Sequence, residues 1–378
     1  LPGTGARRLN TQESDIWAVF AQGKWYMTDS LSLTLGARYT SEDKDAFRQI
    51  DILDLATGAI TTNPLAPITY NEIFALHSVQ TAGYTAVSTG ITSPGHSLTG
   101  SRSENSFTPM VNLQWNATNN TMLYASYSRG FKAGGFDARA NNPFSFEFED
   151  EETSSFELGA KGLLAEGRVE VNAALFFTDY EDLQVSQFDG ALGFNVGNAN
   201  ETDVRGLELD GRIAVTEDFT IGYAYAYLDF EFQDFRNGNC YNYQTPDGDV
   251  VNGIPLCDFT GMRGQYTPEN NLSVFFDYTR MLNNEIELFS NLNLNYTDSQ
   301  NIHDNLDPQY EIDSRTKVNL RVGVRNDNWS LALVGKNITD EEVMTYAGNV
   351  PLSASVFGTN TFYSFIDRPS QYAIEIGF

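Results

Sequence analysis

The sequence predicts an all-β protein, an antiparallel transmembrane β-barrel, and three observations carry that expectation. Apolar and polar residues alternate with period two through much of the 378 residues, as in strands with one face in lipid and the other in water. Short and long connections between these segments alternate, the layout of a barrel with tight turns at one rim and long loops at the other. No stretch reaches the roughly 18 uninterrupted apolar residues of a membrane helix. Strands that alternate average out to near-neutral hydropathy, so a barrel escapes that test.

Taken in order, the alternation gives about 13 strands, with ends good to a few residues. They lie near 14–27, 30–45, 104–116, 119–132, 153–164, 167–188, 192–215, 218–235, 267–281, 284–299, 310–325, 328–338 and 366–378. The second is set by Leu31, Leu33, Leu35, Ala37 and Tyr39 against Ser32, Thr34, Gly36, Arg38 and Thr40. The tenth sets Ile286, Leu288, Leu292, Leu294 and Tyr296 against Glu285, Glu287, Asn291, Asn293 and Asn295. In the eleventh, Val318, Leu320, Val322 and Val324 oppose Lys317, Asn319, Arg321 and Arg325. The last places Tyr372, Ile374, Ile376 and Phe378 on one side. Helical spacing fits none of these segments.

Short turns fall at Met27–Ser30, Asn116–Asn120, Leu164–Gly167, Thr216–Asp218, Met281–Asn284 and Asn326–Asn328. Long connections fall near 46–103, 133–152, 236–266, 300–309 and 339–365, and only the one near 189–191 is brief. This predicts a bacterial outer-membrane location, short turns periplasmic and long loops extracellular, among outer-membrane lipids and lipopolysaccharide. The segments 167–188 and 192–215 run well past the ten or so residues that cross a bilayer. They should stand above it, as in a large transporter.

Asp and Glu outnumber Lys and Arg by 50 to 23, a net charge of −27. That balance excludes nucleic acid as a partner, because no basic patch survives the field. Enzyme signatures such as Gly-x-Ser-x-Gly or His-Glu-x-x-His are missing, and the chain is not expected to be an enzyme or to hold a cofactor or resident metal. Cys240 and Cys257 are the two cysteines. An even pair in an exported protein points to a loop disulfide, and with no His beside them a zinc site is disfavoured. His77, His96 and His303 are scattered among loops and are expected to be solvated; Asp247-Gly248-Asp249 reads as a turn. The densest acidic-aromatic stretch is Phe144–Glu152, expected at the mouth. Arg129, Lys132 and Phe136 lie where a strand passes into a loop and are the candidates for contact with an anionic ligand.

Several strings, by their order and spacing, resemble the C-terminal half of the TonB-dependent receptors. They include Trp17–Gly23, Leu31–Tyr39, Leu123–Phe136, Glu157–Lys161, Asn195–Asn198 with Arg205–Asp210, Val334–Asp340 and Arg368–Tyr372. Tyr372, Ile374, Ile376 and the closing Phe378 resemble the signal read by the barrel assembly machinery. The resemblance implies that residues 1–378 are the C-terminal part of a barrel of about 22 strands, with a plug, a TonB box and the first strands N-terminal to Leu1. It implies import of a scarce bulky ligand such as an iron–siderophore with energy supplied through TonB. A passive porin-like channel and a surface adhesin or receptor barrel are the competing readings.

Overall fold

The computed structural model describes residues 4–60, 96–140, 145–188, 194–241, 243–251, 254–350 and 361–378. One antiparallel sheet of 13 strands follows chain order throughout. Its strands are β1 (Thr4–Tyr26), β2 (Leu31–Asp54), β3 (His96–Thr118), β4 (Thr121–Lys132), β5 (Glu151–Leu164), β6 (Val169–Phe188) and β7 (Phe194–Ala214). The remainder are β8 (Phe219–Asp234), β9 (Asn270–Met281), β10 (Glu287–Thr297), β11 (Arg315–Arg325), β12 (Ser330–Lys336) and β13 (Gln371–Gly377). Each expected strand has its counterpart. Among the described residues no helix is long and apolar enough to cross a membrane.

The extents of the first three strands differ from expectation. β1 starts at Thr4, not 14; β2 continues past residue 45 to Asp54; β3 starts at His96, not 104. Glu42, Asp43, Lys44 and Asp45 break the apolar alternation, yet Asp43 pairs with Asp15 and Lys44 with Ser14 as regular ladder partners. Hydrophobic periodicity marks only the part of a strand that has a greasy face. Above the lipid band neither face needs an alternating apolar side, and the strand continues without that signature.

Register shows why the alternation exists. Cross-strand partners share a face, and one row runs Trp25–Leu33–Leu113–Ala125–Leu158–Leu175–Leu207–Tyr227 across β1 to β8. On the later strands Ile221, Phe276, Leu292 and Leu320 continue that face, as do Val322, Leu333 and Ile374. The protein itself does not cover it: Trp25 is 62% exposed, Leu175 56% and Leu333 59%. A contiguous apolar face on this scale needs an apolar solvent, and lipid supplies it. Tyr127, Phe156 and Phe177 pair in one aromatic row toward the long-loop rim, the level at which membrane barrels carry an aromatic girdle.

The tight turns are built by side-chain oxygens that accept from the turn's own backbone. Asn283 Oδ1 accepts from the Glu285 and Ile286 amides, both at 2.9 Å. Asn326 Oδ1 does the same for Asn328 and Trp329, again at 2.9 Å. Thr28 Oγ1 serves Ser30 and Leu31 at 3.2 and 3.0 Å. At the opposite rim the connections pack into three hydrophobic clusters.

Candidate functional site

The candidate site is this loop layer, three packed units standing above the apolar band. The first is the β4–β5 connection, described at 133–140 and 145–150, which forms a strap. Asp137 N donates to Phe146 O at 2.7 Å, and the Phe136 and Phe146 rings lie 5.2 Å apart over Ala46 and Leu98. Gly100 is needed beneath it, since a Cβ there would come within 2.2 Å of the Phe136 ring.

Two anchors hold the strap. On β3, Arg102, whose side chain is 9% exposed, is paired with Glu104 and reaches Glu147 at 3.1 Å, Glu149 at 2.9 Å and the Phe148 carbonyl at 2.8 Å. Lys44 on β2 donates to Gly134 O at 2.6 Å. Burial alone would lower the Arg102 pKa, but Glu149 and Glu104 outweigh it and hold the guanidinium above its ordinary value. On the other side, Asn198 accepts from Glu149 N at 3.0 Å and donates to Glu149 O at 3.1 Å. Gln184 Nε2 donates to Ala133 O, also at 3.1 Å, and Val196 N donates to Asp137 Oδ2 at 2.8 Å. The strap therefore bridges β2–β3 to β6–β7. The acidic stretch at its end is largely the counterion of one arginine.

The second unit is the β8–β9 connection. Cys240 and Cys257 form a disulfide with Cα atoms 5.1 Å apart. Around it pack Phe232, Phe235, Phe259, Ala199 and, from the β10–β11 connection, Leu306. Phe235 meets Phe232 at 4.8 Å and Phe259 at 5.4 Å between ring centroids. Asp247-Gly248-Asp249 sits in a bend: Asp247 Oδ1 accepts from Asp258 N at 3.0 Å, and Asp249 pairs with Arg236 at 3.1 Å.

The third unit joins the β10–β11 connection to a hairpin, Met344–Asn349 with Phe362–Ile366. His303, only 7% exposed, stacks on Tyr310 at 4.9 Å, and the Tyr310 hydroxyl meets Asn349. Burial, then Asp307, pushes the Tyr310 hydroxyl up to about 12. Tyr346 is raised too, by burial and by its bond to Tyr363. His303 is thus a packed residue, contrary to the expectation of a solvated one; His77 lies outside the described residues, and His96 opens β3.

The residues singled out from sequence are not brought together. Arg129 continues the face of Tyr127, beyond the aromatic row, and pairs with Glu152. Alternation from Leu123 through Tyr127 dictates that side, so its guanidinium points away from the polar face. Lys132 ends β4 on the polar side with its side chain exposed. Phe136, 8% exposed, is filled in under the strap. Tyr372, Ile374 and Ile376 lie along β13, exposed with Phe378 beyond them. Arg102 and the His303 cluster were missed. An acidic run with no nearby base, and tyrosines recurring in the last two loops, were the signals that pointed to them.

A family model described as TonB dependent receptor-like, beta-barrel, matches residues 2–338. The chain belongs to that family. TonB-dependent receptor barrels are outer-membrane proteins, transport receptors rather than enzymes. The probable TonB-dependent siderophore receptor PiuA of Acinetobacter baumannii is 27% identical over 174 residues, which is 43% of this chain and 23% of that protein. Among solved structures, the ferric yersiniabactin uptake receptor FyuA from Yersinia pestis matches with TM-score 0.68 at 13% identity, over 98% of this chain and 46% of that one. The siderophore receptor PiuA from Acinetobacter baumannii gives 0.62 at 16%, over 97% and 43%. The ferric-catecholate import receptor Fiu from E. coli K12, closed form, gives 0.60 at 16%, over 97% and 45%. At such identities these likenesses establish the fold. The chain spans less than half the length of each.

Proposed function

We propose that residues 1–378 form the C-terminal part of an outer-membrane importer that takes up an iron–siderophore or similar bulky complex with energy passed through TonB. The observation that carries this reading is the loop layer. Three packed units stand at the long-loop rim above a lipid-facing band, in a chain whose family is TonB-dependent receptors. A rim built for ligand capture fits that arrangement. The 27% relationship to a probable siderophore receptor supports the ligand class.

The sheet has β1 and β13 at its two ends. In lipid an unpaired edge leaves backbone groups unsatisfied, which supports a larger ring of about 22 strands. On this reading the long-loop rim is extracellular, the short turns are periplasmic, and TonB acts through a region outside this segment. Phe378 and its strand carry the assembly signal. The test is uptake of iron-labelled siderophores by cells with and without the full-length gene product, each with and without TonB. Uptake should need both. Uptake of small solutes that ignores TonB would favour the passive channel instead.

A further inference from the structure

Three donor atoms in the third loop unit lie close to the one position that a side chain on Gly348 would take. An ideal Cβ built on Gly348 would lie 3.4 Å from the Tyr363 hydroxyl, 3.5 Å from His303 Nε2 and 3.5 Å from the Tyr346 hydroxyl. Hairpin register explains the convergence. Gly348 pairs with Tyr363, and Tyr346 is two residues from Gly348 on the same strand, so all three share one face. His303 is brought against that face from the β10–β11 connection by its stack on Tyr310.

The histidine is oriented as a ligand would be. Its Nδ1 lies 2.7 Å from Asp304 Oδ1, a contact that requires a proton on Nδ1. The longer 3.3 Å approach of the Asn305 amide to the same nitrogen is therefore the lesser one. With the Nδ1 hydrogen turned to Asp304, Nε2 is the ring nitrogen left to accept or ligate, and it lies beside the same Gly348 position as the two phenols. A carboxylate that fixes tautomer and ring orientation in this way is the usual support of a metal-binding histidine. The surroundings favour a cation: segments 298–314 and 337–370 together hold nine Asp or Glu and one Arg. Such a field concentrates positive ions at the site.

We propose that His303, Tyr346 and Tyr363 form a ferric-ion site in the extracellular loop layer. Two phenolate oxygens and one imidazole make a hard, anionic donor set with no thiolate, which suits trivalent iron among the transition metals. On binding, each phenol releases its proton to solvent as its oxygen bonds to the metal, and no electron is transferred. Open coordination positions remain for a chelator or water, so the site takes iron from, or shares it with, a partly saturated complex. It goes beyond the import reading: binding at the loops is measured without transport, and either can fail alone.

The test is titration of the full-length protein in detergent with ferric nitrilotriacetate, watching for the visible charge-transfer band of a ferric phenolate. A band is expected. Gly348→Ala deletes no donor, and its methyl fits at ordinary contact distance, yet it takes the position beside all three donor atoms, so the band should be lost while circular dichroism is unchanged. Tyr346→Phe should also lose it, and Asp304→Asn should weaken binding by about tenfold or more through the loosened histidine. Ferric ion in a hexadentate hydroxamate, with no open position, should give no band. No band in the parent protein, or an undiminished one in Gly348→Ala, would overturn the proposal. So would zinc or copper binding there in preference to iron.

Discussion

The sheet below the aromatic row and the loop layer above it bury their apolar residues in opposite ways. In the sheet, Leu33, Leu113, Leu158, Leu175 and Leu207 line up across strands and stay exposed to solvent or partly so, because their partner is lipid. In the loop layer Phe232, Phe235, Phe259 and Leu306 are buried on one another, as in a soluble core. The lower region is held by ladder hydrogen bonds and its solvent. The upper region is held by side-chain packing, a disulfide and a few ion pairs. A substitution that is severe in one should be mild in the other.

The largest effect is expected from Phe259→Ala, which opens a cavity among Phe235, Cys257 and Leu306 and should cost the loop layer about 3–5 kcal/mol. Limited proteolysis should then cut within 235–269, while the barrel keeps its heat-resistant migration in gels. If the barrel melts with the loops, the two regions are one cooperative unit and the contrast fails.

Next is Leu292→Arg, on the apolar face opposite Leu320 and Phe276. It should lower barrel stability in lipid by about 2–4 kcal/mol. Its neighbour Asn293, on the polar face, should accept Arg with little change. Refolding titrations of both variants into liposomes measure the difference, and equal losses would mean the faces are assigned backwards.

Arg102→Ala sharpens the picture of the strap. Removing the guanidinium leaves Glu104, Glu147 and Glu149 together without their shared cation, an effect of about 1.5–3 kcal/mol confined to the strap. Faster amide exchange at 145–150 with none in β9–β10 is the expected readout. The smallest effect is acid. Burial would raise Asp137, but its bonds from Arg139 and the Val196 amide hold its carboxyl below the usual range. A depressed folded pKa gives stability that is present above the unfolded value of about 3.9 and lost as pH falls through the folded value. The Val196 amide should therefore stay protected down to about pH 4 and exchange faster below it; unchanged protection throughout would remove Asp137 from the anchor.

What was legible in the sequence follows the same division. The strand count and order came from alternation, which is local and survives without knowing any contact. The true reach of β1 to β3 did not, because above the lipid band one face carries exposed Asp43 and Asp45 and the other is covered by the strap around Glu42 and Lys44, so no apolar period is needed. Parity singled out Cys240 and Cys257. Nothing local marked Leu306 as part of their core or Arg102 as the strap's counterion, because both depend on segments far apart in the chain. Arg129 shows the converse: alternation with Tyr127 alone places its side chain on the outward face.

The proposed topology has the 13 strands crossing one membrane with the long-loop rim outside. Single cysteines at Ala56, in the β2–β3 connection, and at Asp327, in the β11–β12 turn, test it most directly, since Cys240 and Cys257 are bonded to each other. A membrane-impermeant thiol reagent applied to intact cells should label Ala56→Cys and leave Asp327→Cys untouched until the outer membrane is opened. Labelling of Asp327→Cys on intact cells with Ala56→Cys protected would contradict the account.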